Sequence, residues 1–431
     1  MLRTEAVKGV GGSRTVRYLR GLDPHLPRSV WLLQAGVLAN TFGNGLVIPF
    51  VLIYLHDVRG IPVASAALIA TASPLTALAS GLIAGSLTDR RGPRQTLIGA
   101  VAVMAVAYAG FPFITEAWHA LVLNALAGIG SGGFGSAQAA LITALTPADR
   151  RHSAFAQQRV TANAGLGLGH MAGGLIATTA DPSTYTTLFV ADVLTFMAFI
   201  AVLLRLPSPP IAPAPAASGS GYGVALRDGV FRRVLVLNLV LVAAGIALIM
   251  VLFPVFAKDH AHVDERGIGL AFFVNTLVII VAQLPIARWQ EGRRRMSSVA
   301  LLAAVWAGSC GLVLVGALAS GIGMATFVLC IALAVFGIGE CLYSTVLQGP
   351  LAADLAPPHV RGRYMGLNNM SWQVGFIVGP ALGGLVLTVE PLALWLLCAL
   401  ACLAAGLYAL SLEGTIPEDL RRTPIPKGVT G

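Results

Sequence analysis

Three ionisable side chains stand inside long apolar stretches, where a charge is costly. Glu340 lies in the segment Phe336-Gly-Ile-Gly-Glu340-Cys-Leu-Tyr343, and Asp192 and His170 lie in two other apolar stretches. Apolar surroundings favour the protonated, neutral form of a carboxyl group, and an imidazole exchanges its proton near neutral pH. We therefore predict that these side chains take up and release protons, with Glu340 as the first candidate.

Each of the three residues also has a structural interpretation. Glu340 could hold a hydrogen bond to a neighbouring helix, and its carboxylate could also bind a cationic ligand in competition with a proton. Asp192 is as compatible with a supporting role as with a functional one. A buried histidine such as His170 is commonly satisfied by its packing alone. These alternatives stay open on the sequence.

Nucleotide-driven and enzymatic chemistry find no support in the sequence. A phosphate-binding loop needs a lysine after its second glycine, and Lys8, Lys258 and Lys427, the only lysines, lack that context. Gly128-Ile-Gly130-Ser-Gly-Gly133 matches a dinucleotide pattern, but it lies in an apolar stretch with no preceding strand, so close helix packing explains it better. The five cysteines also lie in apolar stretches. We predict no catalytic residue, no metal, no cofactor and no enzyme activity.

The elements that position these side chains are membrane-spanning helices. The 431 residues are 56% hydrophobic and 11% charged, whereas a soluble domain carries roughly a quarter charged residues. A span needs about 20 apolar residues, and backbone in lipid must satisfy its own hydrogen bonds. We predict twelve helices, at 29–54, 63–88, 95–115, 119–146, 157–180, 186–205, 234–257, 267–288, 297–319, 322–347, 364–389 and 391–412.

The positive charge is distributed as membrane topology requires. If the N-terminus lies inside, 24 of the 28 Lys and Arg residues fall in inside segments and three, Arg59, Lys258 and Arg266, fall in outside loops. Basic residues remain preferentially on the cytoplasmic side. We therefore predict a multi-pass protein of the plasma membrane with both termini cytoplasmic, and no nucleic-acid partner. The remaining Arg159 near the start of the fifth span is expected to reach headgroups.

The chain divides into two halves of six spans. Residues 206–223 are rich in Pro, Ser and Gly, which predicts an exposed linker. Seven identities recur at an offset of 210: Leu145, Pro147, Arg151, Gly165, Gly169, Gly173 and Gly174 recur as Leu355, Pro357, Arg361, Gly375, Gly379, Gly383 and Gly384. The predicted units are a basic N-terminus (1–28), a first bundle (29–205), a linker and basic segment (206–233), a second bundle (234–412) and a tail (413–431).

Polar uncharged and aromatic residues inside the spans could line a pathway between the halves. The candidates are Asn40, Asn44, Gln138, Asn238, Asn275, Tyr343, Asn369, Trp372 and Gln373. Amide and apolar groups suit an amphiphilic organic molecule, whereas a phosphorylated or dicarboxylic compound would require buried Arg or Lys. The glycines at every fourth position of spans 5 and 11 form one small-residue face, for which helix packing is the expected role.

The loop Gly85-Ser-Leu-Thr-Asp89-Arg90-Arg91-Gly92-Pro93-Arg94 joins the second and third spans. Its four charges must lie in water at the membrane surface. The pattern resembles the signature loop of the major facilitator superfamily of transporters. The resemblance implies an all-α membrane protein with twelve transmembrane helices in two six-helix pseudo-symmetric bundles. It also implies alternating access by movement of the two halves.

The resemblance further implies a gating role for Gly85, Asp89, Arg90, Gly92 and Arg94. Asp89 would face the amino end of span 11, where helix amides carry partial positive charge, and so latch the halves together. Arg90 and Arg94 would bind anionic headgroups or a nearby acid such as Asp149.

The segment around Glu340 and the stretches 353–357 and 361–366 resemble the drug-efflux branch of that superfamily. This implies proton-driven export of a small amphiphilic compound by a monomer in the lipid bilayer, with the compound and protons as partners. Two positions depart from the pattern: Asn124 stands where proton-coupled members usually carry arginine, and His170 where antiporters carry proline. Uptake or facilitated diffusion of a neutral metabolite is the alternative, and a membrane receptor or enzyme is a more distant one.

Overall fold

The structure is a computed structural model that describes residues 26–208, 222–357 and 360–424. Most of the predicted basic N-terminus, most of the Pro-rich linker and the end of the predicted tail lie outside these residues. The predicted domain bounds therefore remain predictions, while the helices between them can be compared directly.

The first half of the described chain contains six long helices. They are α1 (Arg28–Val58), α2 in two parts (Val63–Ala70 and Ala72–Arg91), α3 (Pro93–Gly110), α4 (Ala117–Leu145), α5 (Arg151–Ile176) and α6 (Ser183–Arg205). α1 is interrupted by a 3-10 turn at Ile48–Phe50, where Pro49 cannot donate a backbone hydrogen bond, and it ends in a π turn at Tyr54–Val58.

The second half repeats the arrangement. α7 begins with Gly229–Leu241 and continues through a π turn at Val242–Ile246 to Ala247–Val251 and Phe253–Asp259. The remaining helices are α8 (Glu265–Gln290), α9 (Arg295–Ala317), α10 (Ile322–Val346), α11 (Arg361–Val389) and α12 (Pro391–Leu412). Two short helices, Gly223–Arg227 and Pro350–Leu355, precede α7 and follow α10.

Polar turn residues determine where several helices begin and end. Asp228 Oδ1 accepts from the backbone N–H groups of Val230 and Phe231 at the start of α7, and Asp264 Oδ1 accepts from Gly267 at the start of α8. Gly92 separates α2 from α3 with a φ of +87°, a conformation that disfavours every residue with a side chain. The second glycine of the charged loop is therefore required by the turn.

Eleven of the twelve long helices in the described chain are long and apolar enough to cross a membrane. The exception is α5, which has 26 residues but carries Gln157, Gln158 and Arg159 in its first half. α5 packs against α1 on one side and against α8 on the other. Neighbouring helices rather than lipid cover much of its surface, so polar residues are tolerated there.

The two halves pack by the same rules, which confirms the predicted all-α fold of two pseudo-symmetric six-helix bundles. α4 packs against α2 and α3 in the first half, and α10 packs against α8 and α9 in the second. α3 packs against α6 as α9 packs against α12. The halves meet where α5 contacts α8 and where α11 contacts α2. These two seams are equivalent under the pseudo-symmetry and border the space in which a site could lie.

Candidate functional site between the two bundles

The two ends of the bundle differ in how the halves meet. We call the end that carries the Gly85–Arg94 loop the motif end, and the other the opposite end. At the opposite end, the Lys258 ammonium lies 2.7 Å from Asp57 Oδ2 and 2.9 Å from Glu265 Oε1. Asp57 belongs to the first half, whereas Lys258 and Glu265 belong to the second. One partly buried cation thus bridges the halves.

Further hydrogen bonds complete this ionic contact. Glu265 Oε1 accepts from the Thr179 backbone N–H at 3.1 Å and from the Tyr185 hydroxyl at 3.2 Å, and both donors belong to the first half. Lys258 Nζ also donates to Thr179 Oγ1 at 2.7 Å. Only 6% of Glu265 is exposed, so the bonds replace the water that the carboxylate loses. Charge-assisted bonds of this kind hold the opposite end closed.

Close glycine contacts extend the closure into the bundle. A Cβ atom added at Gly269 of α8 would lie 2.6 Å from the His170 carbonyl oxygen of α5, and one added at Gly174 would lie 2.6 Å from the Glu265 carbonyl oxygen. At the other seam, a Cβ atom at Gly384 of α11 would lie 2.4 Å from the Ala67 Cβ of α2. These contacts confirm the predicted packing role of the small residues.

A cavity of about 480 Å³ lies between the halves on the side of the motif end. It is bounded by α2, α4 and the first turns of α11, together with Tyr222 ahead of α7. Asn369 and Gln373, both predicted as cavity residues, line it beside Ser131 and Ser136. The space between the bundles is therefore closed at one end and open to a cavity towards the other.

The Glu340 carboxylate lies on α10 and faces α8. Asn275 Nδ2 donates to Glu340 Oε2 at 2.9 Å and to the Leu333 carbonyl oxygen at 3.1 Å. Asn275 is 2% exposed, so its amide is held in one orientation by these acceptors. The predicted pathway residue Asn275 and the predicted proton site Glu340 are thus one hydrogen-bonded unit.

Arg159 of α5, in the first half, interacts with this unit of the second half. Its guanidinium interacts electrostatically with Glu340, and its Nη2 donates to Gln348 Oε1 in the second half at 3.2 Å. We had expected Arg159 to reach lipid headgroups, whereas this hydrogen bond directs it toward the other bundle. Arg159 of one half and the Glu340 carboxyl group of the other thus influence each other across the two bundles.

The structure does not bring the three predicted proton sites together. Asp192 is fully buried in the first half, where Thr195 Oγ1 lies 3.4 Å from its Oδ1, and its Oδ2 has no hydrogen-bond partner among the described residues. His170 lies in the seam between α5 and α8, with its ring centroid 5.2 Å from that of Phe272. Its Nδ1 likewise has no hydrogen-bond partner in the described part of the chain. The three groups occupy three separate environments.

Several predicted cavity residues are engaged with other groups. The Tyr343 hydroxyl donates to Asn238 Oδ1 at 2.6 Å, and Asn238 Nδ2 donates to Ser371 Oγ at 2.7 Å, so this chain lies inside the second half. Trp372 packs between Tyr343 and Phe376 at centroid distances of 5.8 and 5.6 Å.

The side-chain amides in the helices of the first half differ in burial and in hydrogen bonding. Gln138 Oε1 accepts from Gln158 at 3.0 Å. Asn40 is fully buried, and within the described ranges neither of its amide atoms has a hydrogen-bond partner, while Asn44 is half-buried on the same helix. Asn124, at the position where an arginine was expected, donates to the Ala120 carbonyl oxygen of its own helix at 2.9 Å. This hydrogen bond of Asn124 therefore stays within α4.

The charged loop differs from expectation at two positions. Arg94 donates to the carbonyl oxygens of Leu203 and Leu204 and to Ser208 Oγ, each at 2.6 Å, so it caps the carboxyl end of α6 rather than binding headgroups or Asp149. Asp89 is exposed, and between the described residues no hydrogen bond or ion pair joins it to α11. The predicted latch is not engaged in this state.

One group at the opposite end could hold a metal ion. His56, Asp57 and Asp259 place ligand atoms within 4.8 Å of one another, and His56 Nδ1 contacts the Ile61 carbonyl oxygen. Burial and the neighbouring Asp57 carboxylate raise the pKa of Asp259 above its ordinary value. The Lys258 ammonium already pairs with Asp57 and would repel a metal cation. These three side chains are therefore better suited to binding protons and the Lys258 ammonium than to binding a metal ion.

The contact around Lys258 was not predicted from the sequence. The sequence does contain one indication of it: Lys258 is the only lysine between Lys8 and Lys427, and it lies in a short connection between two spans. Its acidic partners are far apart in the chain, however, and only packing brings Asp57 and Glu265 to the same ammonium.

Comparison with known proteins agrees with the geometry. An uncharacterised MFS-type transporter of Bacillus subtilis, YhjO, is 26% identical over 358 residues, covering 82% of this chain and 85% of the relative. The multidrug resistance protein MdtH of Aeromonas hydrophila is 25% identical over 363 residues, covering 82% and 86%.

Solved structures share the fold at low sequence identity. A D-xylose–proton symporter superposes with a TM-score of 0.75 at 12% identity, covering 92% of this chain and 99% of the symporter. The family model described as Major Facilitator Superfamily matches residues 34–264 and 235–429, and so nearly the whole chain. With two pseudo-symmetric bundles around a cavity that is closed at one end, this chain belongs to the Major Facilitator Superfamily of membrane transporters.

Proposed function

We propose that this protein exports a small amphiphilic organic compound across the plasma membrane by proton antiport. The resemblance around Glu340 and the relatives named as multidrug resistance proteins support the drug-efflux branch. The observation that carries the proposal is the pairing of Arg159 and Gln348 across the halves beside Glu340, in a bundle that is closed at the opposite end.

The distribution of charge supports the orientation. Basic residues are concentrated in the loops of the motif end, and the positive-inside rule places that end in the cytoplasm. Both termini are then cytoplasmic, and the opposite end faces outward. In this orientation the protein is closed to the outside and its cavity lies toward the cytoplasm, as an exporter must be when it collects its substrate. We propose that a monomer is sufficient, because the cavity lies within one chain.

The lining of the cavity supports the substrate class. Its side chains include Leu78, Met370 and Tyr222 with the amides of Asn369 and Gln373, and none of the described residues that line it is charged. Such a surface favours an apolar body with a few hydrogen-bonding groups. Asn40, Asn44, Gln138 and Trp372 lie on helices that border the interior and are secondary candidates. Asn238 and Tyr343 would act by holding α7, α10 and α11 together.

Proton coupling would rest on Glu340. When the carboxyl group is ionised it would attract Arg159 of the other half. Protonation removes that attraction and leaves the Asn275 amide as a neutral partner, so the halves are freer to move. A proton that enters down a potential of 100 mV contributes about 2.3 kcal/mol. Asp192 and His170, each with an unpaired atom, are further candidates in the first half and in the seam.

The loop would act in the opposite conformation. When the cytoplasmic end closes, Asp89 would meet the amino end of α11 and its partial positive charge. Gly85 has open space around it and Arg90 is exposed, so neither resists this approach. Gly92 sets the turn and Arg94 fixes the loop to α6.

Transport in proteoliposomes with an imposed pH gradient tests the proposal. The native protein should move an amphiphilic dye against its gradient, and Glu340→Gln should abolish gradient-driven accumulation while dye binding persists. Glu390→Gln is the matched control, because Glu390 is exposed at the opposite end. If Glu340→Gln keeps full gradient-driven activity, Glu340 is not the coupling group.

Facilitated diffusion or uptake of a neutral metabolite is the second candidate function. The Asn275 hydrogen bond favours it, because a Glu340 held by this bond could be structural. Under this alternative, dye or metabolite flux would ignore the pH gradient in both the native protein and Glu340→Gln.

A further inference from the structure

The connection between α8 and α9 forms a basic cavity with the chain's carboxyl-terminal segment. The cavity has a volume of about 710 Å³, and three arginines, Arg293, Arg294 and Arg422, line it against one acid, Glu291. All three guanidinium-bearing residues are exposed. The cavity lies outside the space between the two bundles and is not used by the proposed transport cycle.

Backbone pairing holds this cavity in shape. The Arg295 N–H donates to the Arg421 carbonyl oxygen at 2.8 Å, and the Thr423 N–H donates to the Arg293 carbonyl oxygen at 3.0 Å. Arg422 Nη1 donates to the Gly292 carbonyl oxygen at 2.9 Å, which places its side chain beside the loop. The arginines are therefore brought together by the fold and are not independent surface residues.

The surroundings of the arginines are apolar on one side. Trp289 and Leu301 line the same cavity and are 43% and 42% exposed. The Arg293 guanidinium lies over the Trp289 ring at 3.9 Å from the centroid. Both neighbouring helices cross the membrane, so the cavity lies at the level of the lipid headgroups, where tryptophan is typical. A ligand here must be anionic at one end and apolar at the other.

The equivalent connection of the first half differs in a way that supports a binding role. There, Arg94 uses its guanidinium to cap α6 through three hydrogen bonds. In the second half, the Arg294 side chain is 62% exposed, and among the described residues its guanidinium pairs only with Glu413, at 4.0 Å. Arg293 uses one of its five N–H donors on the Trp289 carbonyl oxygen. These arginines keep donors available for an anion.

We propose that this cavity binds the phosphate headgroup of an anionic phospholipid such as phosphatidylglycerol. The arginines would donate to the phosphate oxygens, and Ser297 at the rim could donate to the glycerol group. The acyl chains would pass along Trp289 and Leu301. Basic pockets beside transmembrane helices are well suited to anionic lipid headgroups. The bound lipid would fasten the carboxyl-terminal segment to the second bundle, whatever the transported compound is.

Thermal unfolding of the purified protein in detergent tests the site. Phosphatidylglycerol should raise the melting temperature, and phosphatidylcholine or inorganic phosphate at the same concentration should not. The R293Q/R422Q variant should bind phosphatidylglycerol about thirtyfold more weakly, which corresponds to about 2 kcal/mol for two basic residues. R233Q, which removes an exposed arginine elsewhere on the motif end, should respond like the native protein.

Fluorescence quenching in the folded protein is a second test of the site. Phosphatidylglycerol with brominated acyl chains should quench part of the tryptophan fluorescence, and W289F should lose that part. Equal quenching by brominated phosphatidylcholine, or an unchanged phosphatidylglycerol response in R293Q/R422Q, would overturn the proposal. If inorganic phosphate alone reproduces the shift in melting temperature, the ligand is a free anion and the lipid assignment is wrong.

Discussion

The Lys258 ammonium lies 2.7 Å from the Asp57 carboxylate and joins the second half of the chain to the first. The same ammonium pairs with Glu265, whose carboxylate accepts two further bonds from the first half. Because one cation neutralises two acids from different elements, its removal leaves two partly buried charges unpaired.

The first prediction concerns this contact. Lys258→Gln should lower the free energy of unfolding by about 2 kcal/mol, since it removes charge-assisted hydrogen bonds. It should also raise hydrogen exchange at the ends of α5 and α8, because the closed end opens more often. Arg266→Gln is the control, since Arg266 is exposed at the same end. Unchanged exchange in Lys258→Gln would show that the glycine contacts alone keep this end closed.

The second prediction concerns the seam between α5 and α8. Gly269→Ala should destabilise the closed end, because its Cβ would lie 2.6 Å from the backbone oxygen of His170. Gly311→Ala in α9 has open space and should be neutral or stabilising, by up to about 1 kcal/mol from helix propensity. Melting temperatures of the two variants compare the effects, and equal values would contradict the close contact.

The third prediction concerns the charged loop. Arg94→Gln should lower the melting temperature, because three hydrogen bonds to the end of α6 are lost, at a cost of about 1–3 kcal/mol. Arg90→Gln should leave it nearly unchanged, since Arg90 is exposed. Asp89→Asn should slow transport without affecting stability. A stable Arg94→Gln would mean that α6 ends without this cap.

The fourth prediction concerns pH. Asp259 has its pKa raised by burial and by Asp57, so the folded state holds this proton more tightly than the unfolded state. Its ionisation therefore destabilises the fold as pH rises through and above the ordinary pKa of an aspartate. Asp259→Asn should be more stable than the native protein at pH 7, and the difference should shrink as the pH falls toward 4.

An aspartate with the opposite shift is the control for this measurement. Hydrogen bonds from the Ser183 side chain and backbone lower the pKa of Asp181, so its ionised form stabilises the fold above the ordinary pKa. Asp181→Asn should therefore be less stable than the native protein at pH 7, with a difference that also shrinks on acidification. Differences of the same sign in both variants would contradict the assigned causes.

Much of the fold could be predicted because a membrane restricts where the apolar and charged segments of a chain can lie. Twelve long helices, two equivalent halves and a loop rich in charge follow from apolar length, from the repeat and from the exclusion of charge from lipid. α5 was located, but its polar first half became understandable only once α1 and α8 were seen to cover it.

The candidate site was predicted less completely. Glu340 and Asn275 were both named as candidates, yet their hydrogen bond depends on how α8 and α10 pack. Arg159 was expected to reach lipid headgroups, and its contact with Gln348 arises because α5 presents that face to the other half. Neither helix orientation nor contact across 189 positions of chain can be obtained from local composition.

The amino-acid sequence by itself determined the class of this protein: a membrane transporter of two six-helix halves, with its charged loop at the surface. Hydropathy, repeat and charge bias are properties of the chain that solvent and lipid act on directly. Only the tertiary structure decided which end is closed and which charges meet, Lys258 with Asp57 and Arg94 with the end of α6. Ion pairs act over a few ångströms, so they depend on distances that exist only after the helices have packed.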